Sequence, residues 1–271
     1  SIDQIEKETD AKDEHDLLHP FKPVPDLPHL RALLDCYLVS GRLKAPEDAR
    51  WALEAGLELS WLIHLRQSGI LFLEKSRDMF VTHLTCCYLL WRARSQAHQL
   101  IMIQSKREED AATLVFDKKP DIARVSFMET HLPKWLQMTH WPSAATYCHL
   151  YATNGSHVWG IPQGGDIVRP HHPSVVFSDE AAFQPEFGDS YTAALPSIKG
   201  GGQYIAVSSA EPGEFASIVG ADGTAPSVGL PGFSGRIVSG GIPVLRIHFS
   251  ADPRKRPWTP EGAAWLDATA S

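Results

Sequence analysis

The spacing of apolar residues changes near residue 70. Before it they recur every three or four positions: Leu30, Leu33, Leu34, Tyr37 and Leu38 mark one helix ending at Ser40-Gly41, and stretches 46–55 and 60–67 read as two more. Residues 28–69 are therefore expected to form a helical preface. Residues 1–27, charged and then Pro-rich, are expected to be a poorly ordered arm. After residue 70, short unbroken apolar runs alternate with helical stretches. Runs 70–74, 99–103, 174–178, 203–207 and 242–249 read as buried strands, and 83–94, 106–117, 121–142, 186–195 and 259–268 as helices. Asn154-Gly155 between 146–149 and 157–161 predicts a hairpin. Stretch 220–241, rich in Gly and Pro, is expected to be a loop or flap, and no internal repeat is present. Strand and helix in alternation define an α/β chain with a mainly parallel sheet.

Composition narrows this only a little. With 271 residues, 43% hydrophobic and 21% charged, the chain is of ordinary globular type, long enough for one large core. Its net charge of −7 argues against a generally basic nucleic-acid binder, though not against a local basic face. No apolar run reaches bilayer length, and the acidic start SIDQIEKETDAKDEHD does not read as a secretion signal. The cysteines Cys36, Cys86, Cys87 and Cys148 lack metal-ligand spacing, which favours a reducing compartment and no structural zinc. His171-His172 lies in a Pro-flanked loop without a metalloprotease pattern, so the histidines are read as surface or packing residues.

Three strand ends carry chemistry. The run Val175-Val176-Phe177-Ser178 ends in Asp179-Glu180, two acids at the carboxyl edge of a sheet, where open α/β folds bind ligands. In a nucleotide-hydrolysing site Asp179 would hold Mg²⁺ and Glu180 would orient the attacking water. The bland alternative is an acidic helix start favoured by the helix dipole. The strand ending near Glu74 leads into Lys75-Ser76-Arg77-Asp78-Met79-Phe80-Val81-Thr82 and then a helix, an arrangement that aims backbone N–H groups at an anion and lets Thr82 reach a metal. The third strand ends in Ser208-Ser209, hydroxyls able to sense a phosphate or a water. Against the phosphate-loop signature GxxxxGK[ST], the chain has Phe80 for the glycine and Val81 for the lysine. Phe80 opposes positive φ, so a locally different backbone is expected, and Lys75 and Arg77 are the cations available to replace the lysine.

These segments resemble the ATPase domain of the large terminase subunit of tailed bacteriophages. The resemblance runs from about Leu71 to Phe215 and rests on EKSRDMFVTHL, LIMIQSKREEDA, NGSHVWGIPQGGDIVRP, SVVFSDEAAF and GGQYIAVSSAEPGEF. It implies a three-layer P-loop-type (ASCE) fold over 28–250, with the nucleotide-binding core at 70–215 and a loop and final strand at 216–250. It also implies Mg²⁺-dependent ATP hydrolysis that drives double-stranded DNA into a procapsid. Lys75 matches the phosphate-binding lysine some members carry at the loop's start, Arg77 the loop arginine, Asp179 and Glu180 the Walker B pair, and Ser208-Ser209 the coupling motif. Arg169, ten residues before Asp179, stands where some members have an arginine acting on a neighbouring subunit's ATP; otherwise it bridges a surface carboxylate. The implied catalytic groups are thus Glu180, Arg169 and Arg77. Residues 75–82 with Ser208 and Ser209 hold nucleotide, and Asp179 and Thr82 hold metal.

The same resemblance implies a homo-oligomeric ring, usually a pentamer, on the portal protein, with the small terminase subunit as partner, acting in the host cytoplasm. Two alternatives stay open: a helicase or repair ATPase on this fold, and a nucleotide-binding module that has lost hydrolysis. Large terminases also carry an RNase H-like nuclease domain. After Val219 the acids are Asp222, Asp252, Glu261 and Asp267, with no second sheet to gather them. Residues 251–271, with Arg254-Lys255-Arg256, are expected to begin a linker, and no nuclease activity is expected.

Overall fold

Six of the chain's apolar runs pair side by side, because a strand without polar positions is stable only when helices cover both its faces. The computed structural model describes residues 69–116, 124–131, 148–224 and 232–270. The arm and the helical preface, Cys36, and the parts of stretch 121–142 other than 124–131 lie outside the described residues. In chain order the elements are β1 (Ile70–Lys75), α1 (Val81–Ser95), β2 (Leu100–Ser105), α2 (Glu108–Val115), α3 (Arg124–His131), β3 (His149–Tyr151), β4 (His157–Pro162) and β5 (Val175–Asp179). There follow α4 (Phe187–Lys199), β6 (Gln203–Ser208), α5 (Glu214–Val219), β7 (Gly223–Thr224), β8 (Phe233–Val238), β9 (Ile242–Ile247) and α6 (Pro260–Ala270).

The strands form one nine-stranded sheet in the order β3-β4-β2-β5-β6-β1-β9-β8-β7. From β4 through β9 neighbours run parallel, while β3 at one edge and β8 and β7 at the other are antiparallel. Alternate residues of each strand enter different cores. Leu71, Leu73, Ile103, Phe177 and Val207 meet α1 and α3 on one face, and Phe72, Met102, Val176, Tyr204 and Ala206 meet α4 and α5 on the other. Rings fill the second core, with Phe72 edge-on to Phe187 at 6.1 Å and to Tyr191 at 5.7 Å. This is the three-layer α/β architecture expected. The acid-bearing strand β5 is separated from β1 by β6.

Helix α1 lies almost wholly inside the first core: of its fifteen residues only Thr82 and His83 are not buried. Arg94, near its end, is kept by Glu129 of α3 at 3.7 Å. The predicted hairpin forms, with His149 opposite Trp159 and Tyr151 opposite His157, and Gly155 takes φ 80° at its turn. Gly160 lets α2 approach, since a Cβ there would stand 3.1 Å from the Ala111 carbonyl oxygen. Cys86, Cys87 and Cys148 are all buried. Among the described residues no helix is long and apolar enough to cross a membrane.

Two expectations need correction. Stretch 220–241 is not simply a loop: β7 and β8 extend the sheet, with Phe233 to Val238 paired against Ile247 to Ile242. The six residues of β8 are mostly half-exposed, so no apolar run announces them, and pairing with β9 organises them instead. Nor is the start of stretch 251–271 a free linker. Asp252 is buried and holds Arg254 through both carboxylate oxygens at 3.0 and 2.9 Å, Lys255 is buried, and Arg256 donates to the Ser250 carbonyl at 3.2 Å.

Candidate active site

β1, β5 and β6 all run the same way, so their ends meet at one edge of the sheet, and α1 begins there too. Register makes the meeting close: Glu74 lies beside Ser208, and Asp179 beside Val207. The Lys75 ammonium contacts the Glu180 carboxylate at 2.8 Å, and Thr82 donates its hydroxyl to Asp179 at 2.7 Å. Ser208, fully buried, accepts the Ala182 amide at 3.1 Å, and its Oγ stands 3.5 Å from Glu180 Oε2. Gln184 donates to the Asp179 main-chain carbonyl at 2.8 Å, bracing the acidic turn from a position the sequence did not single out.

Both turns hold left-handed backbone at residues other than glycine. Glu180 sits at φ 49°, ψ 46°, and Asp78 and Phe80 both have φ 56°. Such backbone costs a side-chain-bearing residue roughly 1–2 kcal/mol and persists where its surroundings hold it, typically at functional sites. Phe80 thus corrects the expectation of a locally different backbone. It takes the positive φ that the glycine of a standard phosphate loop would take, because its ring packs against the first core and lies edge-on to His83 at 6.0 Å. Val81, in place of the usual lysine, points into that core and is buried.

Residues 75–82 separate into distinct roles. The Ser76 amide extends the β1 ladder by bonding the Ile247 carbonyl at 2.9 Å. Met79 is buried, whereas Arg77 and Asp78 are exposed. Two cavities flank the loop. One, of about 470 Å³, is lined by Lys75, Ser76, Arg77, Ser209, Arg246 and His248 among others. The second, of about 390 Å³, is lined by Lys75, residues 78–83 and Arg124. Phe80, which precedes α1, offers no side-chain cap, and the helix's own first turn holds no acid; the acid beside it is Asp179, bonded to Thr82. Arg169 lines neither cavity; its exposed guanidinium pairs with Asp166 at 3.2 Å.

Burial pushes the Asp179 carboxyl up to about 6; the Thr82 hydroxyl opposes that rise, Glu180 adds to it, and Lys75 and Arg124 oppose it. A buried carboxylate short of positive charge, bonded to a hydroxyl, is a hard oxygen pair suited to Mg²⁺. Arg124 is the group sequence reasoning missed. It belongs to a helix that does not follow any of the three strand ends, and only the packing of α3 beside α1 brings it to the loop.

The fold and this edge define a three-layer α/β protein in which paired acids at the end of β5 face the loop between β1 and α1. No family model matches the chain, and no curated protein matches it. Two solved structures of the large terminase ATPase domain of Thermus phage P74-26, one of them a point mutant, are similar to it. They are 13% and 14% identical, with TM-scores of 0.47 and 0.46, over 74% of this chain and 84% of theirs.

Proposed function

We propose that this chain is an ATPase that hydrolyses ATP with Mg²⁺ and spends the energy on moving double-stranded viral DNA into a procapsid. The observation carrying the hydrolytic part is the meeting of Lys75, Thr82, Asp179, Glu180 and Ser208 at one sheet edge, with contacts of 2.8 Å for Lys75–Glu180 and 2.7 Å for Thr82–Asp179. Support for the packaging part comes from the motif order along the sequence, which resembles that of large terminases.

Each side chain then has a task. Asp179 and Thr82 would hold the metal, which when bound neutralises phosphate charge. Glu180 orients and polarises a water for in-line attack, a positional and electrostatic role. Lys75 neutralises phosphate charge, and before nucleotide arrives it holds Glu180 instead. Phosphate oxygens compete for the ammonium, so nucleotide binding loosens the acid that must face the water. Ser208 and Ser209, beside Glu180 and in the larger cavity, sense whether the terminal phosphate is present. Arg169, exposed on the loop before β5, is available to a neighbouring subunit in a ring, and the double-stranded DNA, portal and small-subunit partners belong to the same proposal.

Phosphate release by the purified chain, with and without double-stranded DNA, tests the reading. Turnover dependent on Mg²⁺ and stimulated by DNA is expected; ATP binding without any release would favour a module that has lost hydrolysis. Mixing Arg169→Ala with Glu180→Gln subunits should restore part of the activity each lacks, because each keeps the half-site the other has lost. If no mixture recovers activity, Arg169 acts within its own subunit or only structurally.

A further inference from the structure

The loop has Val81 where the standard phosphate-loop signature has lysine, and its own cations are partly committed. Lys75 is held by Glu180 at 2.8 Å, and Arg77 is exposed and lines only the larger of the two cavities. Arg124 is placed differently. It lines the smaller cavity together with Phe80, Val81, Thr82 and His83, the residues at the uncapped start of α1. Its Nε is buried with no hydrogen-bond partner, and its Nη1 makes one long bond, 3.4 Å to the Thr113 carbonyl. A buried guanidinium donor without an acceptor is costly unless something supplies one.

We infer that Arg124 is a second phosphate-binding cation beside Lys75, compensating for Val81 where a standard loop has lysine and donating to the phosphates of a nucleotide seated at the start of α1. The inference rests on the ATPase reading above and names a residue outside the loop as part of its phosphate-binding apparatus. Arginine suits the task because its planar fork pairs with phosphate oxygens, and because it stays charged when partly buried. Moving the charge from loop to helix also accounts for Val81, whose side chain is free to join the core once no ammonium is needed there.

The test is equilibrium binding of MgATP and of MgAMP to the full chain and to Arg124→Ala, Arg124→Gln and Arg124→Lys, with the thermal midpoint of each nucleotide-free protein as control. Losing a charge-assisted phosphate contact should weaken MgATP binding roughly ten- to a hundredfold in Arg124→Ala and Arg124→Gln, with a smaller loss for MgAMP. Arg124→Lys should recover most of the affinity, and the nucleotide-free midpoint of Arg124→Gln should be no lower than that of the unmodified chain, because the buried unpartnered donor is gone. Arg124→Gln keeps the bulk of the side chain, so it reads out the charge even if Arg124→Ala folds poorly. Wild-type affinity for MgATP in Arg124→Gln would overturn the inference while leaving the ATPase reading intact. Failure of the unmodified chain to bind MgATP would remove both.

Discussion

The turns that leave β1 and β5 are built alike and have kept different things. Each carries left-handed backbone at a residue with a side chain, Phe80 in one and Glu180 in the other. At the β5 turn stand two adjacent acids, Asp179 and Glu180, the pair the proposed hydrolysis would use. At the β1 loop the left-handed backbone is held by Phe80, and Val81 follows it, where the phosphate-loop signature has glycine and lysine. Hydrophobic packing holds Phe80 in left-handed backbone, and Arg124 of the neighbouring helix α3 lines the same cavity as the loop.

The largest effect expected from challenging that contrast lies at the β5 turn. Glu180→Gln keeps size and hydrogen bonding but removes the charge that orients water, so turnover should fall at least about a hundredfold while ATP still binds. Steady-state phosphate release with parallel binding measurements checks this, and wild-type turnover would break the assignment.

Next in size is Asp179. Its folded-state value of about 6 stands above the ordinary 3.8, so the stability its proton contributes is complete below about 3.8 and disappears as pH rises through about 6. At pH 7 to 8 the buried charge is a liability, and Asp179→Asn should stabilise the nucleotide-free protein by about 2 kcal/mol. Denaturant titrations at pH 5 and pH 8 should show the advantage of Asn shrinking at the lower pH. An equal difference at both would mean that this carboxyl titrates normally.

Lys75→Ala separates the two jobs of that lysine. Loss of one phosphate-neutralising charge should weaken ATP binding about tenfold. Unchanged binding in a titration would leave Lys75 as a tether for Glu180 only, and Arg77 or Arg124 as the carrier of phosphate charge.

The smallest effect concerns the β1 loop's backbone. Ala and Gly at position 80 both remove the ring, but only Gly relieves the left-handed strain. Phe80→Gly should therefore be more stable than Phe80→Ala by about 1 kcal/mol, the reverse of the ordinary order in regular structure. Equal thermal midpoints would show that the loop relaxes when the ring is removed.

These contrasts also explain what could be read from the chain. β5 and β6 were legible because every residue in them is buried, which leaves an unbroken apolar run with the polar chemistry at its end. β8 was not, since Phe233-Ser234-Gly235-Arg236 has no periodicity of its own and becomes a strand through β9. Asp179, Glu180, Lys75 and Thr82 could be nominated because each follows a strand or opens a helix. Arg124 sits in a segment with no signature, and Lys255 in a basic run that looks like solvent-facing linker. In both cases tertiary packing, not local pattern, decides where the charge goes.

Lys255 donates to the Asp78 carbonyl at 3.0 Å while its ammonium lies 5.5 Å from the centre of the Trp265 ring in α6. The chain thus returns, some 180 residues later in sequence, to clasp the middle of the β1 loop. The same ammonium stands 3.6 Å from the Asp252 carboxylate, so one buried cation joins three segments, the first of them far from the others in sequence: the β1 loop, the turn after β9 and the helix α6.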